Sequence, residues 1–511
     1  MPEKTITMQL AEYAAADHYD SFSEEDITMT KLAYLDWIGA AYTGVGERSA
    51  QIMLQYGEAE GITGDCVIIG RDKKTSAANA ALINGTESHA IDFDDIHDYL
   101  SLHLCSPVMP AALAAAEKTG ADGRRLINAA VSGMQIMVAL SAGIMPEHYN
   151  IGRWHATGTI GIFGACAAAG YLFGLTPDEM CNAFGIAAGL CSGIQLNFGT
   201  MAKPLAAGMA SKNGLMAAEL AKQGFTGKTD IFDRDFLKNI ACKEVDAQLI
   251  IDRLNNIRRT VPAEAVTAEN ASSATAPSGN AGSDAGNAGS SAGNTGSNAG
   301  KQGENKNNAA LSADGQGIEK LRLGIHELRF KRYPCGAPTH SGIINCRKIL
   351  EEHPHAVEDI EKIVFEPYPR AIRLVGNMDP KTGLEGKFSI GFTAAAQIVF
   401  GAVTIETFTT ENVMHPQVQY LLPRMELVGN DEFTYSRGGR ATMYFKDGTS
   451  YTNTTYLLGH ELDLDEAAAD VYGKFDEIMV SRAGEEKAET IRKTVMQMET
   501  LDNAVLLGDL L

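Results

Sequence analysis

The longest run of small and apolar residues in the chain is TIGIFGACAAAGYLFGL, residues 159–175. It is just short of the roughly 20 residues that a membrane-spanning helix needs. Gly158, Gly161 and Gly164 recur at three-residue spacing, and this spacing suits a helix packed closely against its neighbours. We therefore predict a buried helix at the centre of a helical fold, and not a membrane span.

The segments on either side of this run extend the helical pattern. They are rich in Ala, Leu and Met and show no sustained strand alternation. We predict helices over residues 24–42, 75–90, 110–118, 123–145, 158–173, 177–191 and 211–223. Thr176, Pro177 and Glu179 supply an N-cap, a proline in the first turn and a capping-box acid, so a helix should begin there.

A low-complexity segment interrupts the chain after this helical part. Residues 267–310 contain no Val, Ile, Leu, Met or aromatic residue. Nothing in the segment can bury apolar surface to offset the entropy lost on ordering. We predict a disordered, low-complexity insertion over residues 263–317.

Replacing residues 267–310 with a short Gly/Ser bridge should leave both the melting temperature and the activity nearly unchanged, because the segment can contribute no core contact. Thermal unfolding of the shortened chain beside the full chain measures this. A loss of several kcal/mol of stability, or strong amide-exchange protection within the segment, would contradict the prediction.

The pattern changes after the insertion. Residues 360–365 alternate as a strand does, and 441–445 and 449–457 flank a Gly-containing turn, as in a β-hairpin. We predict helices over 339–352 and 392–400 and a return to helix from residue 463. These patterns indicate a mainly α-helical domain built from both chain ends, with an inserted smaller α+β domain. The domain limits are 1–262 for the first helical part, 263–317 for the insertion, 318–460 for the α+β domain and 461–511 for the returning helices.

The net charge limits which binding partners we expect, and the cysteine usage indicates the cellular compartment. Lys and Arg total 43 against 64 Asp and Glu, a net charge of -21, so nucleic acid and anionic membranes are not expected partners. The eight cysteines form no CxxC pair, which is typical of reduced thiols in the cytosol. The first 20 residues contain no apolar signal segment, so we expect a cytoplasmic protein.

The first stretch that could carry chemistry is NGTESHAIDFDDIH, residues 84–97, which is followed by His103. Asp92 and the histidines at 89, 97 and 103 are possible metal ligands, yet no strict ligand spacing such as HExxH is present. The alternative is a solvated helix end with capped carboxylates.

Two further stretches contain isolated polar residues. His155 lies in GRWHATGT, residues 152–159, at the start of an apolar helix, and is either a general base or a hydrogen-bonded structural histidine. Lys203 lies in GTMAKPL, residues 199–205. It either binds an anionic substrate, takes part in proton transfer, or is an ordinary surface lysine.

Taken in order, five blocks resemble the MmgE/PrpD family of dehydratases, decarboxylases and epimerases of small carboxylic acids. The blocks are NGTESHAIDFDDIH (84–97) with LH (102–103), GRWHATGTIGIFGACAAAGYLFGLT (152–176), GTMAKPLAAGMASKNGLMAAELAKQGFTG (199–227), FKRYPCGAPTH (330–340) and GKFSIGFTAAAQIVFG (386–401). The resemblance covers most of the chain outside 267–310. It implies a helical domain with an inserted α+β lid, a homodimer, and an active site between domain and lid that needs no cofactor and no metal.

The family's site residues, carried over by motif, are Asp92, His103, His155, Lys203 and Lys331. The resemblance then implies that His103 and His155 act as acid and base and that the two lysines bind carboxylate. Asp92 would orient or charge-stabilise a histidine.

Neighbouring residues extend this assignment, and some depart from the family pattern. Arg332 is expected to bind carboxylate beside Lys331, and Phe392 to contact the substrate. Ala206, Phe392 and Ile96 stand where family members often have His, Tyr and Thr. Each of these exchanges removes a polar group, so the substrate is expected to be less oxygenated or differently held.

The expected function is that of a lyase, either a dehydratase or a decarboxylase, acting on a small di- or tricarboxylate such as a 2-methylcitrate-like or cis-aconitate-like acid. Two alternatives remain open. One is an epimerase of an iminodisuccinate-like dicarboxylate, and the other is a polycarboxylate-binding protein that has lost turnover.

Overall fold

The fold was examined in a computed structural model, which describes residues 4–61, 63–97, 100–259, 318–433, 438–456 and 464–511. The described residues divide into two units: one holds those before residue 256 and after residue 321, and the other holds 256–259 and 318–321. In the smaller unit, Ile257–Arg259 pairs antiparallel with Ile318–Lys320. The predicted insertion over 263–317 lies outside the described residues, and the four domain limits drawn from the sequence remain predictions.

Helices make up the N-terminal part, as the sequence predicts. Their bounds are Ile6–Ala15, Glu24–Gly44, Arg48–Ala59, Ala77–His89, Cys105–Thr119, Gly123–Ile144, Glu147–Asn150, Ala156–Thr159, Gly161–Leu172, Pro177–Leu190, Ala202–Lys222, Asp235–Ala241 and Ala247–Leu254. Thr176 and Glu179 form the expected capping box. The two largest differences are at helix starts: one helix begins before Pro110, at Cys105, and another begins at Ala202 and so includes Lys203. The helix predicted over 158–173 is divided at Ile160 into two.

The C-terminal helices belong to the same hydrophobic core as the N-terminal ones. Their bounds are Leu464–Ala483, Glu485–Met496 and Val505–Gly508. Phe475 and Met479 are buried in one cluster with Leu32 and Trp37 of helix Glu24–Gly44. Both ends of the described chain therefore build the helical part, as the sequence predicts.

A smaller α+β region has its own hydrophobic core. The strand order of its sheet is Ser450–Thr455, Gly439–Phe445, Ile360–Pro367 and Met425–Leu427, with only the last pair parallel. Its helices include His340–Glu352, Pro369–Val375, Gly383–Gly386, Ile390–Phe400, Thr410–Val413 and Pro416–Leu421. The predicted hairpin is present, and the end at residue 457 that we assigned to it lies outside the described residues.

One described helix, Gly123–Ile144, is long and apolar enough to cross a membrane by length and composition. Because 94% of its apolar window is buried inside the protein, it serves as a core helix of the fold.

Close helix packing positions the site described below. A Cβ atom on Gly208 would lie 2.4 Å from the carbonyl oxygen of Leu82, so helices Ala77–His89 and Ala202–Lys222 approach at backbone distance. Larger residues at this contact would separate the two helices. The approach brings His89, at the end of one helix, to Lys203, at the start of the other.

Candidate active site

One cavity contains all five residues that the family motifs single out. They are Asp92, His103, His155, Lys203 and Lys331. The rest of its wall is largely apolar and aromatic and is formed by Ile96, Ser101, Tyr149, Thr157, Phe198, Gly336, Ala337, Pro338, Tyr368, Leu374, Val375 and Phe388. A few polar groups in a mostly apolar cleft are typical of a small-molecule site.

Asp92 lies between two buried lysines. Lys203 Nζ is 2.5 Å from one carboxylate oxygen, and Lys331 Nζ is 2.9 Å from the other. Burial alone would raise the pKa of Asp92, but the two ammonium charges outweigh burial and hold that pKa below its usual range. Of the charged groups that line the cavity, Asp92 is the carboxylate and Lys203 and Lys331 are the ammonium groups, so the wall presents one excess positive charge to an anionic ligand.

A second carboxylate, Asp94, orients the histidines beside this pair. Its Oδ2 atom lies 2.8 Å from His89 Nδ1 and 3.0 Å from His103 Nδ1, and it accepts a hydrogen bond from Ser106 Oγ at 2.6 Å. Lys203 Nζ lies 3.0 Å from His89 Nε2. Because an ammonium group can only donate, this network assigns the His89 proton to Nδ1. The alternative of a solvated helix end is wrong, since Asp92, Asp94, His89 and His103 are all buried.

The histidines of the site favour the neutral form. Burial lowers the pKa of His103 to about 3, although Asp94 opposes that shift. Burial also lowers the pKa of His89, and it lowers that of His155 well below the usual range, with the nearby Lys203 charge adding to the effect. The histidines are therefore neutral imidazoles at pH 7.

The pKa of His103 makes stability depend on pH. Its folded pKa of about 3 lies below the ordinary 6.5, so the unfolded chain takes up the proton first as the pH falls. The free energy of unfolding should therefore fall between pH 6.5 and pH 3. His103→Gln should make that slope shallower by about 1 kcal/mol per pH unit near pH 5.5. Urea unfolding at several pH values measures this, with His415→Gln as the control. An unchanged slope in His103→Gln would refute the assignment.

His155 is the unpaired histidine of the cavity. Its side chain is 2% exposed, and neither ring nitrogen has a hydrogen-bond partner among the described residues. The backbone N–H of His155 donates to Gly193 O at 3.1 Å and the residue caps helix Ala156–Thr159, so its position is fixed. A held, neutral imidazole with no partner can exchange a proton with a bound ligand.

Lys203 is a buried site residue, so its alternative assignment as a surface lysine is wrong. Its ammonium lies 5.6 Å from the ring centre of Phe198 and 5.5 Å from that of Phe388. Burial lowers its pKa while Asp92 raises it. The aromatic rings limit water access and so strengthen the attraction of Lys203 for an anion.

Lysines from three separate segments hold the backbone turn that carries Asp92. Lys387 Nζ donates to Ile91 O at 3.2 Å, Lys331 Nζ to Asp92 O at 3.0 Å, and Lys474 Nζ to Phe93 O at 2.5 Å. Asp92 itself adopts a left-handed conformation, with φ 59°. Three consecutive carbonyls are thus fixed by ammonium groups, and these contacts maintain a strained turn at the site.

His89, Asp92, Asp94 and His103 also offer ligand atoms within 4.8 Å of one another, a set that could hold a metal ion. However, both oxygens of Asp92 contact lysine ammonium groups, and His89 Nε2 faces Lys203. A metal cation would have to displace these positive charges or lie beside them. The arrangement therefore suits an anionic ligand better than a divalent cation.

Accordingly, activity should survive dialysis against a chelator, because the lysines supply the positive charge of the site. Metal content and turnover, measured before and after dialysis, test this. Stoichiometric metal whose removal abolishes turnover, with recovery on adding it back, would overturn the prediction.

Two residues assigned to substrate binding do not line the cavity. Arg332 has a side chain that is 59% exposed and pairs with Asp470 at 2.8 Å. Phe392 is fully buried in the core of the α+β region. Their predicted role is not supported by their positions, and Phe388 is the aromatic residue of that block on the cavity wall. Of the three departures from the family pattern, only Ile96 is on the wall.

Several residues of the site were missed by sequence reasoning. From the sequence, His89 was considered only as a possible metal ligand, and Asp94 was given no role. His97, grouped with His89 there, instead pairs with Glu327 at 2.6 Å. Tyr149 and Phe198 carry no motif signal. The sequence offered one sign that His89 and Asp94 belong to the site: His89 stands shortly before two aspartates in an otherwise apolar stretch. Charged groups buried in such a stretch require partners.

Comparisons with known proteins place the chain among related sequences. The model of the MmgE/PrpD N-terminal domain matches residues 8–241, and that of the MmgE/PrpD C-terminal domain matches residues 333–500. A cis-aconitate decarboxylase-like protein of Aspergillus oryzae is 24% identical, with 98% of this chain and 95% of that protein covered. Human cis-aconitate decarboxylase is 23% identical over 99% and 95% of the two chains. The enzyme of Aspergillus terreus is 28% identical over 45% and 48%.

Proposed function

Because the chain belongs to the MmgE/PrpD family, whose matches indicate a lyase-type enzyme, we propose that it is a cofactor-independent decarboxylase of a small tricarboxylate such as cis-aconitate. One observation carries the proposal. A neutral, unpartnered His155 shares a cavity with one carboxylate, Asp92, that is held by two buried lysines.

The lysine pair favours an anionic substrate. At about 4 Å and an effective dielectric near 20, each ammonium attracts a carboxylate by about 4 kcal/mol before desolvation costs. On the cavity wall Asp92 offsets one of these two charges, and Asp94, the second buried carboxylate of the cluster, is not part of the wall. This local charge lets a polycarboxylate bind to a protein of net charge -21.

Decarboxylation needs one proton delivered to carbon as carbon dioxide leaves. The negative charge of a bound substrate raises the pKa of His155, which lets the imidazole take up a proton and then deliver it. His103, oriented by Asp94, is the second candidate for proton transfer. The apolar wall at Ile96, Leu374 and Val375 favours the loss of a charged carboxylate as neutral carbon dioxide.

A substrate panel followed by NMR in D₂O tests the proposal. Cis-aconitate, 2-methylcitrate and an iminodisuccinate-like acid are each incubated with the enzyme. We expect carbon dioxide and an unsaturated dicarboxylate carrying one deuteron on carbon from a cis-aconitate-like acid. Loss of water would instead indicate a dehydratase, and deuterated substrate of inverted configuration would indicate an epimerase. Tight binding without turnover would indicate the binding protein.

We further propose a homodimer in the cytoplasm. Leu196 is 86% exposed, and Ile194 and Met201, from the same stretch of sequence as Phe198, are also exposed. Ile151 is a further exposed apolar residue. Exposed apolar groups of this kind often mark a protein interface. Light scattering should give twice the chain mass of 54.6 kDa, and a single-chain mass would refute the proposal.

A further inference from the structure

One glutamine, Gln195, joins two chain segments that meet at the cavity. Its amide nitrogen donates to the backbone carbonyl of Tyr149 at 2.6 Å and to that of Trp154 at 3.1 Å. Both carbonyls belong to residues 149–154, the segment that leads into His155, and Tyr149 and His155 line the cavity. A glutamine amide has two N–H groups, so this side chain donates both of them to one segment.

The backbone beside Gln195 supports the same connection. Its own N–H donates to Arg153 O at 2.9 Å, and the N–H of His155 donates to Gly193 O at 3.1 Å. At Gly193 φ is 132°, and a Cβ atom there would lie 3.3 Å from that of His155. The loop that carries Gln195 therefore approaches His155 more closely than most side chains would allow.

The same loop carries Phe198, whose ring packs edge-on against His155 with the two ring centres 5.1 Å apart. The N–H of Phe198 donates to Gln195 O at 2.9 Å, so the two residues move together. On either side of Gln195, Ile194 is 42% and Leu196 is 86% exposed. Because these apolar neighbours face solvent, the hydrogen bonds of Gln195 attach this part of the loop to the protein.

The imidazole of His155 has no hydrogen bond of its own to set its direction. Neither ring nitrogen has a partner among the described residues. The ring is placed by its backbone and by two neighbouring rings, those of Phe198 and of His89, whose centre is 5.6 Å away. A shift of the loop would therefore move a group that must reach the substrate with the right geometry.

We propose that Gln195 is a positioning residue for proton transfer by His155. It holds the loop of Phe198 against residues 149–154 and so fixes the imidazole relative to the substrate. Gln195 is not among the residues that line the cavity, so it acts through His155 and not by contact with the substrate. The inference rests on the proposed function, in which His155 delivers the proton.

Gln195→Leu removes both donors at similar size. It should lower kcat about tenfold and change KM by less than about twofold, because proton transfer is misaligned while substrate binding is kept. Gln195→Glu keeps the side-chain shape but cannot donate as a carboxylate, and it should show the same split if the leucine variant folds poorly. Gln419→Leu is the matched control. Gln419 is also half-buried, donates to the backbone carbonyl of Val413 at 2.8 Å and does not line the cavity, so kcat and KM should stay unchanged.

A double-mutant cycle separates an effect on His155 from a general one. In a His155→Ala background, Gln195→Leu should lower kcat by less than about twofold, since the group that it positions is gone. A second readout needs no turnover. The imidazole Cε1–H NMR signal of His155, identified by its loss in His155→Ala, should shift in Gln195→Leu and stay in place in Gln419→Leu.

Three results would refute the positioning role: wild-type kcat in both Gln195 variants, a full tenfold loss in the His155→Ala background, or a His155 signal that does not move. The proposed function would stand in each case if the wild-type protein decarboxylates its substrate. If the wild-type protein decarboxylates no acid of the panel, the proposed function fails, and the NMR signal still decides whether Gln195 positions His155.

Discussion

Replacing His155 with alanine should lower kcat/KM on the true substrate by at least about 10²-fold while the fold stays intact. His155 is the cavity histidine with both ring nitrogens unpartnered among the described residues, so no structural hydrogen bond is lost with its ring. What is lost is proton transfer in the transition state, and kcat should therefore fall more than KM rises. Steady-state kinetics with the substrate found by the NMR panel measures the change.

Added imidazole separates proton transfer from a structural role. The His155→Ala cavity leaves room for free imidazole, which should restore part of kcat, whereas a structural defect would not respond. His415→Gln, at a residue that does not line the cavity, is the control for histidine loss and should keep normal kinetics. Near-normal rates in His155→Ala, together with a normal melting temperature, would refute the site assignment.

The fold was largely accessible from the sequence because its signals are local. Helix periodicity and the Thr176 capping box predict element type, and the alternating residues 360–365 predict the strand Ile360–Pro367. The residues at which the helices begin were harder to predict from the sequence. The helix at Ala202 begins earlier than predicted because packing against helix Ala77–His89, through Gly208, stabilises a first turn that contains Lys203 and Pro204.

The sequence predicted residues of the site only where they lie in a family motif. Asp92, His103, His155, Lys203 and Lys331 come from four sequence blocks, and the structure places them around one cavity. Arg332 was misassigned because adjacency in sequence was taken for adjacency in space. Lys331 is buried, whereas Arg332 lies at the start of a bend and its exposed side chain pairs with Asp470. Tyr149 and Phe388 reach the cavity through tertiary packing, for which the sequence carries no local signal.

The second large effect is expected from substitution of Lys387, which contacts both the Asp92 turn and the segment of Lys331. Lys387 Nζ donates to Ile91 O at 3.2 Å and to Pro334 O at 3.1 Å, so it ties the turn of Asp92 to the segment of Lys331. Lys387→Met should lower kcat by about 10²-fold, since displacements near 1 Å at reacting groups cost that much. Lys387 is thus predicted to be a positioning residue, which acts through Asp92 and Lys331 without touching the substrate.

The pH profile distinguishes positioning from mere stability. Burial lowers the pKa of Lys387 to about 8, so its ammonium loses a proton above that pH and both carbonyl contacts weaken. Wild-type kcat/KM should therefore fall above pH 8, and Lys387→Arg, which keeps its charge, should retain most activity and lose this alkaline limb. Lys348→Met, an exposed lysine of helix His340–Glu352, is the matched control and should keep the wild-type profile. Two results would contradict this role: wild-type kcat in Lys387→Met, or an unchanged alkaline limb in Lys387→Arg. Either result would show that the charge of Lys387 does not fix the position of the Asp92 turn.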